Sequence, residues 1–240
     1  MSELSGYAVA ENGIAVVRLE RPDARNAINT QMLVELLAHL ARARDDDAVR
    51  VLVVSSSDHM GLSAGADLRE EMDDEGKVRR MQLFADLYDG LVAFPKPTVA
   101  VCHGDVVGGG AEIAIACDMR VGGSNLRMRF PGAALGAPVG PARLVTLCGL
   151  AAAKYLLLSS RTVGADEALR LGLVNRVAPA AATEDAAIEL ATGVATHPPE
   201  NVAQLKRMLH EWDDVVGRSK LEGVGQVDWV RDGPGLPAPD

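Results

Sequence analysis

The sequence predicts an α/β fold with a layered sheet core and a helical C-terminal region. Between residues 14 and 121, short apolar runs alternate with stretches of helical period, as in strands and helices that pack in layers. Beyond residue 141 the apolar spacing is mostly helical, with one short strand near residues 174–177. With 240 residues and 48% hydrophobic side chains, the chain is long enough to bury one large core.

The individual elements follow from the apolar pattern. Strands are predicted where apolar side chains alternate or run continuously, at residues 14–19, 49–54, 98–102 and 118–121. Helices are predicted where apolar side chains recur with helical spacing, either on one face of the helix or on all of its faces, at residues 30–44, 68–93, 112–117 and 197–216. Thr30 is the expected N-cap of the first helix and Asp67 of the second.

Composition and charge argue against several classes of function. A formal charge of -9 disfavours nucleic acid as a partner, because phosphate binding needs a basic face. Three cysteines in apolar surroundings indicate reduced thiols and a cytoplasmic location. No cluster of His and Cys predicts a metal site, the N-terminus is polar without a signal peptide, and no apolar run approaches the length of a membrane span.

Two stretches of very small residues carry the strongest functional signal. Residues 63–68 read SAGADL and residues 108–112 read GGGAE, and each follows a predicted strand and precedes a predicted helix. Backbone N–H groups at such positions have no intrahelical partner, and no bulky side chain covers them. Two such ends aimed at one point would form an oxyanion hole, and the Glu112 carboxylate beside them would make it a reaction site.

Each of these features also has a purely structural interpretation. The glycine run can be a turn that allows close helix packing. It matches neither a P-loop nor a dinucleotide motif, because no Lys-Ser/Thr follows it and no acidic residue ends the next strand at the expected distance. Glu112 can be a capping residue favoured by the helix dipole. The wholly apolar residues 113–116 favour function instead, because a carboxylate at the mouth of a buried helix is costly without partners.

Together the motifs resemble those of the crotonase (enoyl-CoA hydratase/isomerase) superfamily over about residues 8–210. Besides the two small-residue stretches, four landmarks agree in order, namely RPDARNA at 21–27, PKPTVA at 95–100, CD at 117–118 and ALRLGLVNRV at 168–177. The resemblance implies a spiral of ββα units. It divides the chain into an acyl-CoA-binding core (residues 1–190), a helical trimerisation region (191–232) and a disordered tail (233–240).

The resemblance also implies roles for individual residues. The family holds the thioester oxygen of an acyl-CoA between two backbone N–H groups, here those of Ala66 and Gly109, and Glu112 matches its catalytic glutamate. Residues implied in substrate or coenzyme A binding are Ala24, Arg25, Ala64, Ala66, Asp67, Leu68, Arg69, Gly108, Gly109 and Gly132. Arg25 and Arg69 are the candidates for phosphate contact. No permanent cofactor or metal is implied, coenzyme A enters as part of the substrate, and the expected assembly is a homotrimer or a hexamer of two trimers.

The chain departs from the family pattern at Gly132. Hydratases of the family carry a second glutamate twenty residues after the first, and here that position is Gly132. Two carboxylates let one act as base while the other positions water or donates a proton. The next loop, residues 137–141, is also about three residues shorter than in the family, and Glu222-Gly223 keeps only part of the family's C-terminal ending.

Three functions therefore stay open at the level of the sequence. The first is an acyl-CoA hydratase, isomerase or related lyase in which Glu112 is the sole general acid/base. The second is a decarboxylase, because loss of CO2 needs the oxyanion hole but no base. The third is a non-catalytic acyl-CoA-binding protein that keeps the fold and the pocket.

Overall fold

Ten strands form two sheets in residues 3–233, the part of the chain that the computed structural model describes. The larger sheet has the order β1 (Ser5–Val9), β2 (Ile14–Leu19), β3 (Val51–Ser56), β5 (Thr98–Cys102), β7 (Met119–Gly123) and β10 (Arg176–Ala178). The smaller sheet has the order β4 (Gly61–Ser63), β6 (Asp105–Val107), β8 (Arg127–Arg129) and β9 (Thr162–Gly164). From β2 to β10 the pairs of the larger sheet are parallel. The predicted α/β class is confirmed.

The helices fall between the strands and after them. They are α1 (Thr30–Asp45), α2 (Asp74–Val92), α3 (Gly109–Ala116), α4 (Gly132–Leu135), α5 (Pro141–Ser159), α6 (Ala165–Arg170), α7 (Thr183–Ala195), α8 (Pro199–Asp213) and α9 (Val215–Asp232). Single 3-10 turns lie at Pro22–Ala24 and Ala180–Ala182. The helical C-terminal region is confirmed, and the predicted boundary after residue 190 falls inside α7.

A ββα unit repeats along the first half of the chain. The successive units are β3-β4-α2, β5-β6-α3 and β7-β8-α4, and each places its first strand in the larger sheet and its second in the smaller one. Because β4, β6 and β8 pair side by side and parallel, their C-terminal ends meet at one edge. The repeat therefore brings the residues that follow these three strands together.

The larger sheet is buried on both faces. In β3, Leu52 and Val54 belong to the apolar cluster beneath α1, α2 and α3, whereas Val51 and Val53 belong to the cluster beneath α7. Burial on both faces is the reason why this parallel strand reads as a continuous apolar run rather than an alternating one. The strand predictions at 14–19 and 98–102 agree with β2 and β5.

Three helix predictions need correction. The first helix is capped by Asn29 rather than Thr30, since the Asn29 side chain accepts a hydrogen bond from the N–H of Met32 at 3.0 Å. The second helix begins at Asp74 and not at residue 68, because Asp73 supplies its cap. The single helix expected at residues 197–216 is two helices, α8 and α9, which separate at Asp214, where the backbone is left-handed (φ 52°).

Helix α5 differs from the expectation about apolar length. Among residues 3–233 it is the one helix that is long and apolar enough to cross a membrane by length and composition. The prediction that no run approaches that length is wrong for α5. Only 22% of this apolar window is buried within the described residues, and α5 is interrupted at Gly149, where φ is 76°. The predicted disordered tail lies outside the described residues, apart from Gly233.

Candidate active site

The two small-residue stretches lie against each other at the edge where β4 and β6 end. A Cβ atom added to Gly110 would lie 2.6 Å from the Cβ atom of Ser63, so only glycine fits there. A Cβ atom added to Gly65, where φ is 97°, would lie 3.5 Å from the backbone nitrogen of Gly109. The absence of side chains at these glycines thus lets the backbones of the two small-residue stretches approach closely, as the sequence pattern predicted.

Two backbone N–H groups at this meeting point have no acceptor among residues 3–233. Residue 66 forms an isolated bridge with Ile28: the Ile28 N–H donates to the Gly65 carbonyl at 2.8 Å, and the Asp67 N–H donates to the Ile28 carbonyl at 2.9 Å. That pairing uses the neighbours of Ala66 and leaves its own N–H free. The Gly109 N–H is free because Gly109 is the first residue of α3.

Glu112 lies in the first turn of α3 and is buried, with 1% of its surface exposed. Its Oε2 atom accepts hydrogen bonds from Nη2 of Arg143 at 2.9 Å and from Nε of the same guanidinium at 3.3 Å. Backbone covers Oε1, because a Cβ atom on Gly140 would come within 2.5 Å of it. Burial raises the pKa of Glu112 to about 7; Arg143 opposes this rise and Glu222 adds to it.

Position 132 has no room for a side chain. A Cβ atom on Gly132 would lie 2.4 Å from the carbonyl oxygen of Ala137, whose N–H donates to the Gly132 carbonyl at 2.9 Å. The loop after α4 therefore folds back over Gly132, the position at which the family's second glutamate is expected from the sequence. Its backbone, rather than a replacement carboxylate, occupies the space next to Gly132.

Some of the predicted coenzyme A residues make backbone contacts next to the first small-residue stretch, and others have side chains exposed at the surface. The turn at Ala24 and Arg25 touches the first small-residue stretch, since the N–H of Ala64 donates to the Arg25 carbonyl at 3.0 Å. Arg25 is exposed, and so are Leu68 and Arg69 beyond the stretch. The structure thus places both candidate phosphate-binding arginines at the surface.

Asp67 has a structural environment. It does not cap α2, which begins seven residues later; its Oδ1 accepts from the N–H of Arg69 at 3.0 Å, and its Oδ2 from Arg21 at 2.5 Å. Although burial opposes the effect, these hydrogen bonds hold the pKa of the Asp67 carboxyl below its usual range. Both oxygens of its carboxylate are therefore engaged, whereas its neighbours Leu68 and Arg69 are exposed.

Sequence reasoning missed three side chains around Glu112. Arg143 forms ion pairs with both Glu112 and Glu222. The hydroxyl of Tyr88 would lie 3.4 Å from a Cβ atom placed on Gly109. The guanidinium of Arg143 lies 4.9 Å from the centroid of the Tyr88 ring, which is typical of a cation–π contact. An arginine in the first turn of a mostly apolar helix was the available signal for Arg143.

No group of three or more His, Cys, Asp or Glu side chains within residues 3–233 is arranged to hold a metal ion. The buried cysteines do not add a reactive group, because burial raises the pKa of both Cys102 and Cys117 to about 12. The groups that the described residues bring together here are backbone N–H groups, one glutamate and its ionic partners.

Comparison with known proteins identifies the family of the chain. The family model described as enoyl-CoA hydratase/isomerase matches residues 9–222. The chain is 32% identical to the 2,3-dehydroadipyl-CoA hydratase of Escherichia coli over 95% of this chain and 89% of that one. It is 36% identical to a putative enoyl-CoA hydratase of Thermus thermophilus over 93% and 87% of the two chains.

Solved structures agree as well. A probable enoyl-CoA hydratase from Mycobacterium smegmatis superposes with a TM-score of 0.84 at 30% identity, covering 96% of this chain and 94% of that one. An enoyl-CoA hydratase/isomerase from Xanthobacter autotrophicus gives 0.86 at 26% identity, over 99% and 90% of the two chains. The chain therefore belongs to the enoyl-CoA hydratase/isomerase family, within the crotonase superfamily.

Proposed function

We propose that this acyl-CoA enzyme moves a proton on a thioester enolate, with Ala66 and Gly109 as oxyanion donors and Glu112 as its sole carboxylate acid/base. The observation that carries the proposal is the meeting of two free N–H groups beside one buried glutamate. An enolate oxygen gains negative charge during the reaction, and fixed amide donors stabilise that charge without reorganising. Removing one such donor typically costs about 3–4 kcal/mol.

The environment of Glu112 suits both halves of a proton transfer. A carboxyl whose pKa is about 7 is partly ionised and partly protonated near neutral pH. It can therefore take a proton in one step and return it in the next. Arg143 keeps the ionised form from being prohibitively costly in the buried site, because it supplies a charge-assisted hydrogen bond.

Isomerisation of a double bond is the reaction that one carboxylate serves best. Glu112 removes a proton from C2 of a 3-enoyl-CoA, the electron pair moves onto the thioester oxygen, and the same proton is returned to C4. Hydration normally relies on a second carboxylate, and the Ala137 carbonyl takes the space beside Gly132. Hydration is the second candidate, since relatives carry names such as short-chain-enoyl-CoA hydratase and crotonyl-CoA hydratase.

Binding of the coenzyme A portion is proposed along the first small-residue stretch. Backbone groups of residues 64–68 would hold the adenine, and the turn at Ala24 would contact the pantetheine. The exposed guanidinium groups of Arg25 and Arg69 would meet the phosphates. No resident cofactor is needed, because the thioester itself supplies the acidic proton and the electron sink.

Glu112→Gln tests the proposal. We expect turnover of a 3-enoyl-CoA to fall by about 10²- to 10⁴-fold while coenzyme A binding, followed by calorimetry, stays unchanged. The isosteric change of an exposed carboxylate, Glu11→Gln, is the matched control and should leave turnover unaltered.

Other outcomes would contradict specific parts of the proposal. Unchanged decarboxylation of a malonyl-type thioester by Glu112→Gln would favour the decarboxylase. Tight binding with no turnover of any acyl-CoA by the wild-type chain would favour a non-catalytic binder. Hydration of crotonyl-CoA at rates typical of hydratases would show that Gly132 does not prevent water addition.

Self-association is proposed through the C-terminal helices. Large apolar side chains are exposed on α5, α8 and α9, among them Leu158 (75%), Trp212 (79%) and Leu221 (75%). Such side chains on neighbouring helices are typical of a surface that a further subunit covers. A trimer or a hexamer in the cytoplasm is the expected state, and light scattering coupled to size-exclusion chromatography measures the mass. A monomeric mass at micromolar concentration would refute the assembly.

A further inference from the structure

Glu222 connects the last helix to the site. It projects from α9, and its Oε1 atom accepts from the N–H of Gly140 at 3.0 Å, while Oε2 accepts from the N–H of Ala142 at 2.6 Å. Gly140 is the N-cap of α5 and Ala142 lies in its first turn, where a carboxylate is favoured by the unpaired N–H groups and the helix dipole. Glu222 therefore fixes the start of α5, the helix that carries Arg143.

The guanidinium of Arg143 is shared between two carboxylates. Its Nη2 atom donates to Glu112 at 2.9 Å and to Glu222 at 2.6 Å, and the arginine and Glu112 are almost completely buried. One positive charge cannot neutralise two negative charges at this distance. The buried cluster therefore retains an excess negative charge whenever both carboxyls are ionised.

Three helices supply the charged and titratable groups that surround Glu112 and Arg143. Tyr88 and Asp89 come from α2, Arg143 from α5 and Glu222 from α9. Asp89 reaches the guanidinium only through Ser219, because its Oδ1 accepts from the Ser219 hydroxyl at 2.6 Å and that oxygen in turn accepts from Nη1 of Arg143 at 3.0 Å. Glu222 is thus the carboxylate that competes with Glu112 for Arg143 directly.

We infer that Glu222 is a positioning residue that, by sharing Arg143, prevents the guanidinium from fully neutralising Glu112 and so keeps that carboxyl able to exchange a proton. This inference rests on the proposed role of Glu112. Glutamine has no charge and a single acceptor oxygen, so Glu222→Gln removes the charge together with one of the two bonds to the backbone N–H groups. Loss of the backbone bond is read from the free energy of unfolding, whereas loss of the charge is read from the titration of Glu112.

The test is a direct titration of the Glu112 carboxyl in the full chain. Glutamate labelled with carbon-13 at Cδ gives a resonance for each carboxyl, and the signal that disappears in Glu112→Gln assigns Glu112. In Glu222→Gln we expect its titration midpoint to fall by about one pH unit, since a nearby like charge is lost. The matched control is Asp89→Asn, which removes the same charge from the cluster without direct contact with Arg143, and it should shift the midpoint by less than half as much.

Three results would overturn the inference: an unmoved midpoint in Glu222→Gln, a rise, or equal shifts in both variants. Should Glu222→Gln not fold, Glu222→Asp draws the carboxylate away from Arg143 while keeping the charge, and a smaller fall is expected from it. An unmoved midpoint there also refutes the inference. In an active enzyme the acidic limb of the kcat profile should follow the titration. If the wild type turns over no acyl-CoA, the proposed function fails while the titration still decides the role of Glu222.

Discussion

Replacing Glu112 by glutamine is expected to stabilise the protein at alkaline pH. A carboxyl with a higher pKa in the folded than in the unfolded protein holds its proton more tightly when folded. The wild type therefore loses stability as the pH rises from 4.5, which is the ordinary pKa of a glutamate carboxyl, to about 7, the pKa of Glu112 in the folded protein. The neutral amide of Glu112→Gln cannot ionise, so the variant avoids this loss and keeps an acceptor for Arg143.

The size of the effect follows from the difference between the two pKa values. A difference of about 2.5 units at 1.36 kcal/mol per unit gives roughly 3 kcal/mol above pH 7. For a chain of this length, that corresponds to a rise in Tm of about 6–12 °C. The difference in Tm between variant and wild type should decrease progressively as the pH falls from 7 toward 4.5. Thermal unfolding at matched scan rates from pH 4.5 to 8 measures this difference.

A partly buried carboxylate with the opposite shift provides the control. Although burial opposes the effect, hydrogen bonds from His210 and Lys206 and the charge of Lys206 lower the pKa of Asp118. Asp118→Asn should therefore destabilise the protein at pH 7, and this loss should shrink as the pH falls through the lowered pKa. A Glu112→Gln variant that is less stable than wild type at pH 8, or whose advantage does not depend on pH, would refute the account of the buried site.

Two glycines yield further predictions, both measured by urea unfolding and by coenzyme A binding. Gly132→Ala should lower the free energy of unfolding by about 1–3 kcal/mol, because its Cβ atom would meet the Ala137 carbonyl at 2.4 Å. For the same reason Gly132→Glu should not create crotonyl-CoA hydration. Gly110→Ala should cost a similar free energy and also weaken catalysis, because it would push α3 away from Ser63 at 2.6 Å. Wild-type stability in either alanine variant would contradict these close contacts.

The strands that the sequence predicted well are those in which the buried positions form a regular pattern of apolar residues. β2 and β5 were predicted with their observed ends because apolar and β-branched side chains begin and stop with the strand. The strands β4, β6 and β8 have only three residues each, which is too short for any alternation to show. The smaller sheet was therefore missed, although it is the element that brings the two small-residue stretches together.

Within the site, backbone features were easier to predict than ionic ones. The close approach of the backbone at Gly65 and Gly110 is visible in the sequence, because only glycine fits at these two positions. The partners of Glu112 left little trace, since Arg143 follows it by 31 residues and Glu222 by 110, and no local pattern connects charges across such distances. The break at Asp214 was missed because a left-handed aspartate ends a helix without glycine or proline.

The contact between α9 and the shortened loop also bears on how the protein is made. Arg143 leaves the ribosome 79 residues before Glu222, which at 5–20 residues per second is roughly 4–16 s. During that interval the first turn of α5 lacks the carboxylate that accepts from Gly140 and Ala142. The nascent chain can form its sheets and still have an unfinished site. Any quality-control step or ligand that senses that site will therefore respond to completion of the C-terminal helix rather than to formation of the core.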